Sequence, residues 1–261
     1  MRHVQFATFI VCIPFLLSVG ANAAAARDKT ASRTLVVGTE DIDYLPFYGW
    51  QNGRYGGAAR QILDAFAKDD GYRLIFRPYP IRRLYAQLVT GRIDLKFPDN
   101  SHWAAAAKAG HHVYYSRPLL HFTDGTIVRA GERGRGLAAI HTLGTVLGFT
   151  PTAWTGRIAT GQVRVRQNPR LDQLLRQVRL GRVDGAYCNI DVARHVAANL
   201  SFPAGSIVYD PALPHVTGGY RLSTTTRPKV ITAFDKWLAT HQATITAVER
   251  RYDLARITAA R

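Results

Sequence analysis

The chain has 261 residues, 47% of them hydrophobic and 20% charged, enough to bury a core as one large domain or two small ones. Its formal net charge of +16 raises the question of a nucleic-acid partner, but the arginines are scattered singly, with no basic run and no nucleic-acid motif. The two cysteines, Cys12 and Cys188, exclude a disulfide framework once Cys12 falls in a removed leader, so a packed core must supply the stability.

Arg2 and His3 precede an apolar run over 4–19, followed by Gly20 and Ala21-Asn22-Ala23. This is the pattern of a secretory signal peptide over 1–23, cleaved after Ala23. Pro14 and the modest length argue against a spanning helix. Cys12 lacks the small residues that precede a lipidated cysteine, and no later stretch is apolar enough to span a membrane. An exported, soluble protein is expected, with residues 24–33 as a flexible leader. Export removes the usual nucleic-acid partner. A solvated Arg-rich surface accounts for the charge, with attraction of an anionic ligand as the second account.

A strand is predicted at 34–38, then a loop over 39–56 dense in turn formers and aromatics, among them Tyr44, Phe47, Tyr48 and Trp50. A helix over 57–70 carries Ala59, Ile62, Leu63 and Phe66 on one face and is closed by Gly71. Residues 73–77 alternate as a strand, and Ile81, Leu84, Tyr85 and Leu88 mark a helix begun at Pro80. With a strand at 93–97, this is a doubly wound pattern built on a parallel sheet.

One motif occurs twice: Gln87-Leu88-Val89-Thr90-Gly91-Arg92-Ile93-Asp94 and Gln177-Val178-Arg179-Leu180-Gly181-Arg182-Val183-Asp184. Each reads as helix, glycine C-cap and buried strand, since glycine takes the left-handed conformation without a Cβ penalty. A unit repeated at this distance predicts two similar α/β lobes. The second repeat helix is expected to be N-capped by Asn168 with Pro169 at its first position. Asp94 and Asp184 begin their strands and read as structural.

The second lobe restarts with a strand over 143–148. Thr150 is expected to cap, and Pro151 to open, a helix whose free amides suit an anion. Strands follow at 163–166 and 183–188, where Cys188 reads as a buried small hydrophobe. Strands at 206–209 and 218–222 return the chain to the first lobe, and helices over 228–239 and 243–252 end it. The expected division is 34–128 plus 221–261 for lobe 1, and 129–220 for lobe 2.

Ligands in such sheets sit beyond the carboxyl ends of the strands, which selects three regions. Tyr44 and Phe47 in the aromatic loop suit stacking on a ligand, or packing between elements. Asp99, Asn100 and Trp103 follow the third strand, where polar groups fix a ligand or form a turn. Thr150, Asn189 and Asp191 hold the matching places in the second lobe. The histidines show no ligand spacing, and there is no nucleophile elbow, P-loop or dinucleotide fingerprint, so no metal and no cofactor are expected.

The chain resembles the bacterial extracellular solute-binding proteins of family 3, the type II periplasmic binding proteins. The matching pieces are Leu35-Val36-Val37-Gly38-Thr39, Tyr44-Leu45-Pro46-Phe47, the stretch from Leu88 to Asp94, Tyr115-Ser116-Arg117-Pro118 and Gly181-Arg182-Val183-Asp184-Gly185-Ala186. The resemblance implies two lobes joined by two crossover strands, each lobe a mainly parallel sheet flanked by helices. It further implies a periplasmic monomer that closes over a small polar ligand and delivers it to an ABC-type permease or a sensor protein.

Two departures are visible. Amino-acid binders of that family hold the ligand's ammonium with an acid where this chain has Asn189, and Asp191 is displaced by two. Their Thr-x-x-Arg carboxylate clamp is replaced by Phe97-Pro98-Asp99-Asn100-Ser101-His102-Trp103. A ligand other than an α-amino acid is therefore expected, anionic on the evidence of charge. Two alternatives stand beside transport: an enzyme resembling periplasmic cyclohexadienyl dehydratases, with Asp99 or Asp191 moving a proton, and a sensory or scaffolding domain.

Overall fold

The glycines that end the two repeat units adopt the left-handed conformation the motif requires, with φ of 66° at Gly91 and 69° at Gly181. The acids that follow them act alike. Asp94 accepts the Val36 N–H at 2.8 Å. Asp184 accepts the N–H groups of His141 and Thr142 at 2.9 and 2.7 Å. Each repeat acid thus ties the start of the neighbouring strand, which explains why the same residue closes both copies.

The structure, a computed structural model, describes residues 33–254. The expected signal peptide lies outside the described residues, as does the leader apart from Arg33. The chain divides after Thr34, and the residues from Leu35 form one compact unit, described here.

Its first half comprises β1 (Thr34–Glu40), a side sheet of β2 (Asp43–Tyr44), β3 (Tyr48–Gln51) and β4 (Arg54–Gly56), α1 (Ala58–Asp70), β5 (Arg73–Tyr79), α2 (Ile81–Val89) and β6 (Leu95–Asp99). After the short α3 (Ala105–Lys108) and β7 (Tyr114–Tyr115) comes the long β8 (Leu120–Arg129). The second half holds β9 (Thr142–Val146), α4 (Thr155–Ala159), β10 (Arg164–Asn168), α5 (Leu171–Arg179), β11 (Gly185–Asn189), α6 (Ile190–Ala198) and β12 (Ile207–Tyr209). The second long strand, β13 (Val216–Thr224), then leads to α7 (Pro228–Thr240) and α8 (Gln242–Arg251).

The main sheet runs β10-β9-β11-β8-β13-β6-β1-β5. Pairing is parallel for β1 with β6 and for β9 with both β10 and β11. Between these halves, β8 and β13 pair antiparallel from Leu120↔Tyr220 to Val216↔Asp124. They are the only covalent crossings between the halves among the described residues, and they match the crossover strands expected from sequence.

The halves repeat in their packing as well. A Cβ on Gly38 of β1 would meet Leu84 Cδ1 at 2.7 Å and Ile93 Cδ1 at 2.5 Å, while one on Gly144 of β9 would collide with Leu174. Glycine is needed at both sites because the repeat helix lies directly on the strand. The first-half core joins Phe66 of α1 to Phe234 of α7, with ring centroids 4.9 Å apart.

Two expected helix starts are corrected. Asn168 ends β10, and its Oδ1 accepts the Arg170 N–H at 3.0 Å. It forms a turn, and α5 begins at Leu171 with Pro169 outside it. Pro151 has ψ of 69°, so the chain enters a 3₁₀ turn over Thr152–Trp154 before the five-residue α4, and Thr150 makes no capping bond. That short element offers no anion site.

Candidate ligand-binding cleft

The carboxyl ends of the strands converge on one partly open cavity of about 50 Å³. The first half contributes Glu40, the last residue of β1, with Tyr48 from the side sheet, Tyr85 from α2 and Trp103 after β6. The second half contributes Gly148, Phe149 and Thr150 after β9. Asp124 of β8 and Tyr220 of β13 complete the wall, so the crossing strands floor the cleft.

Tyr220 is the hub of the wall. Its ring centroid lies 4.6 Å from Phe122, 5.2 Å from Phe47, 5.6 Å from Tyr48 and 6.0 Å from Trp103. These tilted and edge-to-face arrangements suit aromatic quadrupoles and give the cleft stiff sides.

Two acids face this aromatic wall. Glu40 is buried and accepts a hydrogen bond from the Tyr48 hydroxyl at 2.9 Å. Burial raises its pKa to about 6, against the pull of Lys96. Asp124 is intermediate in exposure as a residue, but its Oδ1 is sealed from solvent without a hydrogen-bond partner. Burial, then the charge of Glu40, raises it to about 7. Burial also pushes the hydroxyls of Tyr44, Tyr48 and Tyr220 well above their usual range, so they stay neutral.

No arginine or lysine lines the cavity. Lys96 and Lys108 lie behind Tyr85, with Lys96 Nζ 4.3 Å from its ring centroid. They flank Asp99 at 3.5 and 3.6 Å. Lys96 also donates to the Pro98 carbonyl and Lys108 to that of Asn100. Their charge is directed at Asp99 and backbone. Among the described residues no group of three or more His, Cys, Asp or Glu side chains is placed to hold a metal.

Of the residues singled out from sequence, Trp103 and Thr150 lie on the cavity wall. Tyr44 stands one layer out, its ring 5.2 Å from Tyr48 and 5.3 Å from Phe149. Phe47 is buried beneath Tyr220. Asp99 is buried between the two lysines and accepts from Ser223 Oγ at 2.5 Å. Asn100 donates to the Gly219 carbonyl at 3.2 Å, bracing β13.

Asn189 caps α6, its Oδ1 accepting the N–H groups of Asp191 and Val192. Its backbone N–H also bridges the halves by donating to the Tyr44 hydroxyl at 3.2 Å, and its Nδ2 donates to the Tyr220 hydroxyl on β13 at 3.3 Å. Asp191 points elsewhere, pairing with Arg194 at 2.8 Å beside a separate groove under α6.

Glu40, Tyr85, Asp124, Phe149 and Tyr220 line the cavity without having been singled out. Glu40 carried a usable signal, since it ends a strand whose carboxyl end the sheet rule selects. Asp124 carried a weaker one, a lone acid ahead of the apolar run from Gly125 to Arg129.

No family model and no curated protein sequence matches this chain. Solved structures do. The fold is that of the two-lobed periplasmic binding proteins. A periplasmic binding protein of an arginine transport system from Legionella pneumophila superposes with a TM-score of 0.68 at 16% identity, over 84% of this chain and 99% of that one. An ancestral amino-acid-binding protein, described as a precursor of cyclohexadienyl dehydratase, gives 0.65 at 19% identity over 87% and 99%. A histidine kinase sensor domain similar to periplasmic binding proteins gives 0.66 at 19% over 84% and 96%.

Proposed function

We propose that this protein is a periplasmic solute-binding protein that captures a small polar molecule in the cleft between its halves. The observation that carries this is the cavity at the strand ends, walled by both halves and floored by β8 and β13. Ligand contacts to both sides stabilise the closed arrangement over the open one, so closure is itself the binding event. The lobes divide as 34–128 with 221–261, and 129–220, the boundaries falling within or at the end of the two long strands. Export by the signal peptide over 1–23 brings the chain to the periplasm, where a monomer delivers its solute to an ABC-type permease or a sensor. The arginine transport protein and the sensor domain of the same fold support this pair of partners. Among the described residues no helix is long and apolar enough to cross a membrane.

The anionic ligand suggested by net charge finds no support in the cleft, whose lining carries two acids and no basic side chain. The candidates Tyr44, Trp103, Thr150 and Asn189 remain part of the proposed site, two on the wall and two behind it. Phe47, Asp99 and Asn100 support it from below, whereas Asp191 lies outside the cavity lining.

The test is thermal unfolding of the mature protein against amino acids, amines, organic acids and aromatic metabolites. A ligand at about 100 times its Kd stabilises by roughly 2.7 kcal/mol, or about 5–10 °C for a chain of this size. No shift from any compound would contradict solute capture.

A second reading is favoured by one observation. Asp124, at about 7, sits in the range where a carboxylate moves protons, and a dehydratase precursor shares the fold. In that reading Asp124 takes the role the sequence offered to Asp99 or Asp191. Incubating prephenate, arogenate or any compound that shifts the melt, and assaying for product, separates enzyme from binder.

A further inference from the structure

The cavity opposes the chain that surrounds it. In a protein of net charge +16, the lining holds Glu40 and Asp124 and no arginine, lysine or histidine. The two acids come from different elements, the end of β1 and the middle of β8, so the fold brings them together. Around them stand the rings of Tyr48, Tyr85, Trp103, Phe149 and Tyr220. Aromatic faces carry negative charge density and attract cations within about 6 Å.

The hydrogen-bonding inventory narrows the ligand. Glu40 and Asp124 both line the cavity, and an ionised carboxylate only accepts. What it pairs with is a donor, and a charged N–H pairs with it best. A ligand carboxylate would instead meet two acids and electron-rich rings, with no guanidinium or ammonium on the wall to pair it. Lys96 stands behind that wall and lies within electrostatic reach of Glu40. Its ammonium is engaged by the Pro98 carbonyl, Asp99 and the face of Tyr85, so it offsets Asp99 and leaves no donor for the cavity.

We propose that the solute is a compact organic cation bearing N–H groups and no carboxylate: a protonated amine or guanidine of the kind a decarboxylated amino acid presents. This rests on solute capture in the cleft and names the chemistry of that capture. The amine seats against Asp124 and Glu40, and the aromatic ring of walls covers its hydrocarbon body.

The test is titration calorimetry at pH 8 with matched pairs that differ by one carboxylate: agmatine and arginine, cadaverine and lysine, tyramine and tyrosine. The expected result is that at least one amine binds tenfold or more tightly than its parent amino acid. Asp124→Asn is expected to weaken that amine at least tenfold while its melting temperature equals or exceeds that of the parent protein. Glu40→Gln provides the independent second variant, with the same direction expected. An amino acid binding as tightly as its amine overturns the proposal, as does full amine affinity in both variants. If amines fail while another compound shifts the melt, the cationic ligand is refuted and solute capture stands. If nothing binds, both fall.

Discussion

Replacing Asn189 tests how the end of β11 is anchored to the cleft floor. The side chain is fully buried at the end of β11. Its Oδ1 accepts from Asp191 N at 2.9 Å and Val192 N at 3.0 Å, and its Nδ2 donates to Tyr220 across the cleft floor at 3.3 Å. Alanine keeps the backbone bond to Tyr44 and deletes the rest. Loss of an N-cap costs about 1 kcal/mol, and buried groups left unpaired cost roughly 1–3 kcal/mol. A total near 3 kcal/mol lowers Tm by about 6–12 °C for a domain of this size. Asn189→Asp keeps the capping oxygen but places a third acid in register with Asp124. Its deficit should therefore grow from pH 5 to pH 8, whereas that of Asn189→Ala should not. Thermal unfolding by circular dichroism at both pH values reads this out. An alanine variant within about 2 °C of the parent at both pH values would refute the reasoning.

Further outcomes follow from the same geometry. Glu40 and Asp124 have folded-state pKa values of about 6 and 7, above the ordinary carboxylate range. Between about pH 4 and 7 the native state holds protons that the unfolded chain has released, so unfolding free energy falls as pH rises. Tm should drop from pH 5 to 8, with much of that slope absent in Asp124→Asn. Asp184→Ala removes the acceptor for two strand-start N–H groups. It should cost about 2–3 kcal/mol in chemical denaturation, with solute affinity unchanged. Gly144→Ala forces a methyl into Leu174 and should cost about 1–3 kcal/mol by the same assay. Trp103→Leu removes one ring of the cleft wall and should weaken solute binding about tenfold by calorimetry.

The fold was legible because its signals are local. The glycine stops at Gly71, Gly91 and Gly181, the apolar faces of α1, α2 and α5, and the repeated acids each depend on near neighbours, and a few such pieces in order define two α/β halves. The helix starts at Asn168 and Thr150 misled because a capping residue and a proline also form turns, and only the path of the following backbone decides which. The cleft was less legible. Strand-end reasoning selected regions that supply Trp103 and Thr150 to the cavity wall, yet Asp99 is drawn away by Lys96 and Lys108, residues whose approach no spacing reveals. Asp124 and Tyr220 enter the wall because β8 and β13 cross beneath the cleft, a consequence of pairing between residues nearly one hundred positions apart.

Closure of the two halves over a solute is most directly tested by distance. Arg82 of α2 is exposed, as is Leu147 at 54%, and they adjoin Ile81 and Gly148, which meet from the two halves at the cavity wall. Cys188 is buried, with its thiol pushed well above its usual range, so nitroxides attach selectively to cysteines placed at 82 and 147. Dipolar broadening of the continuous-wave nitroxide spectrum, which reads short separations, then reports the distance with and without the compound that most raises Tm. A longer population that collapses to the short distance at saturation is the predicted result. Identical distance distributions in the presence of a bound solute would contradict capture by closure.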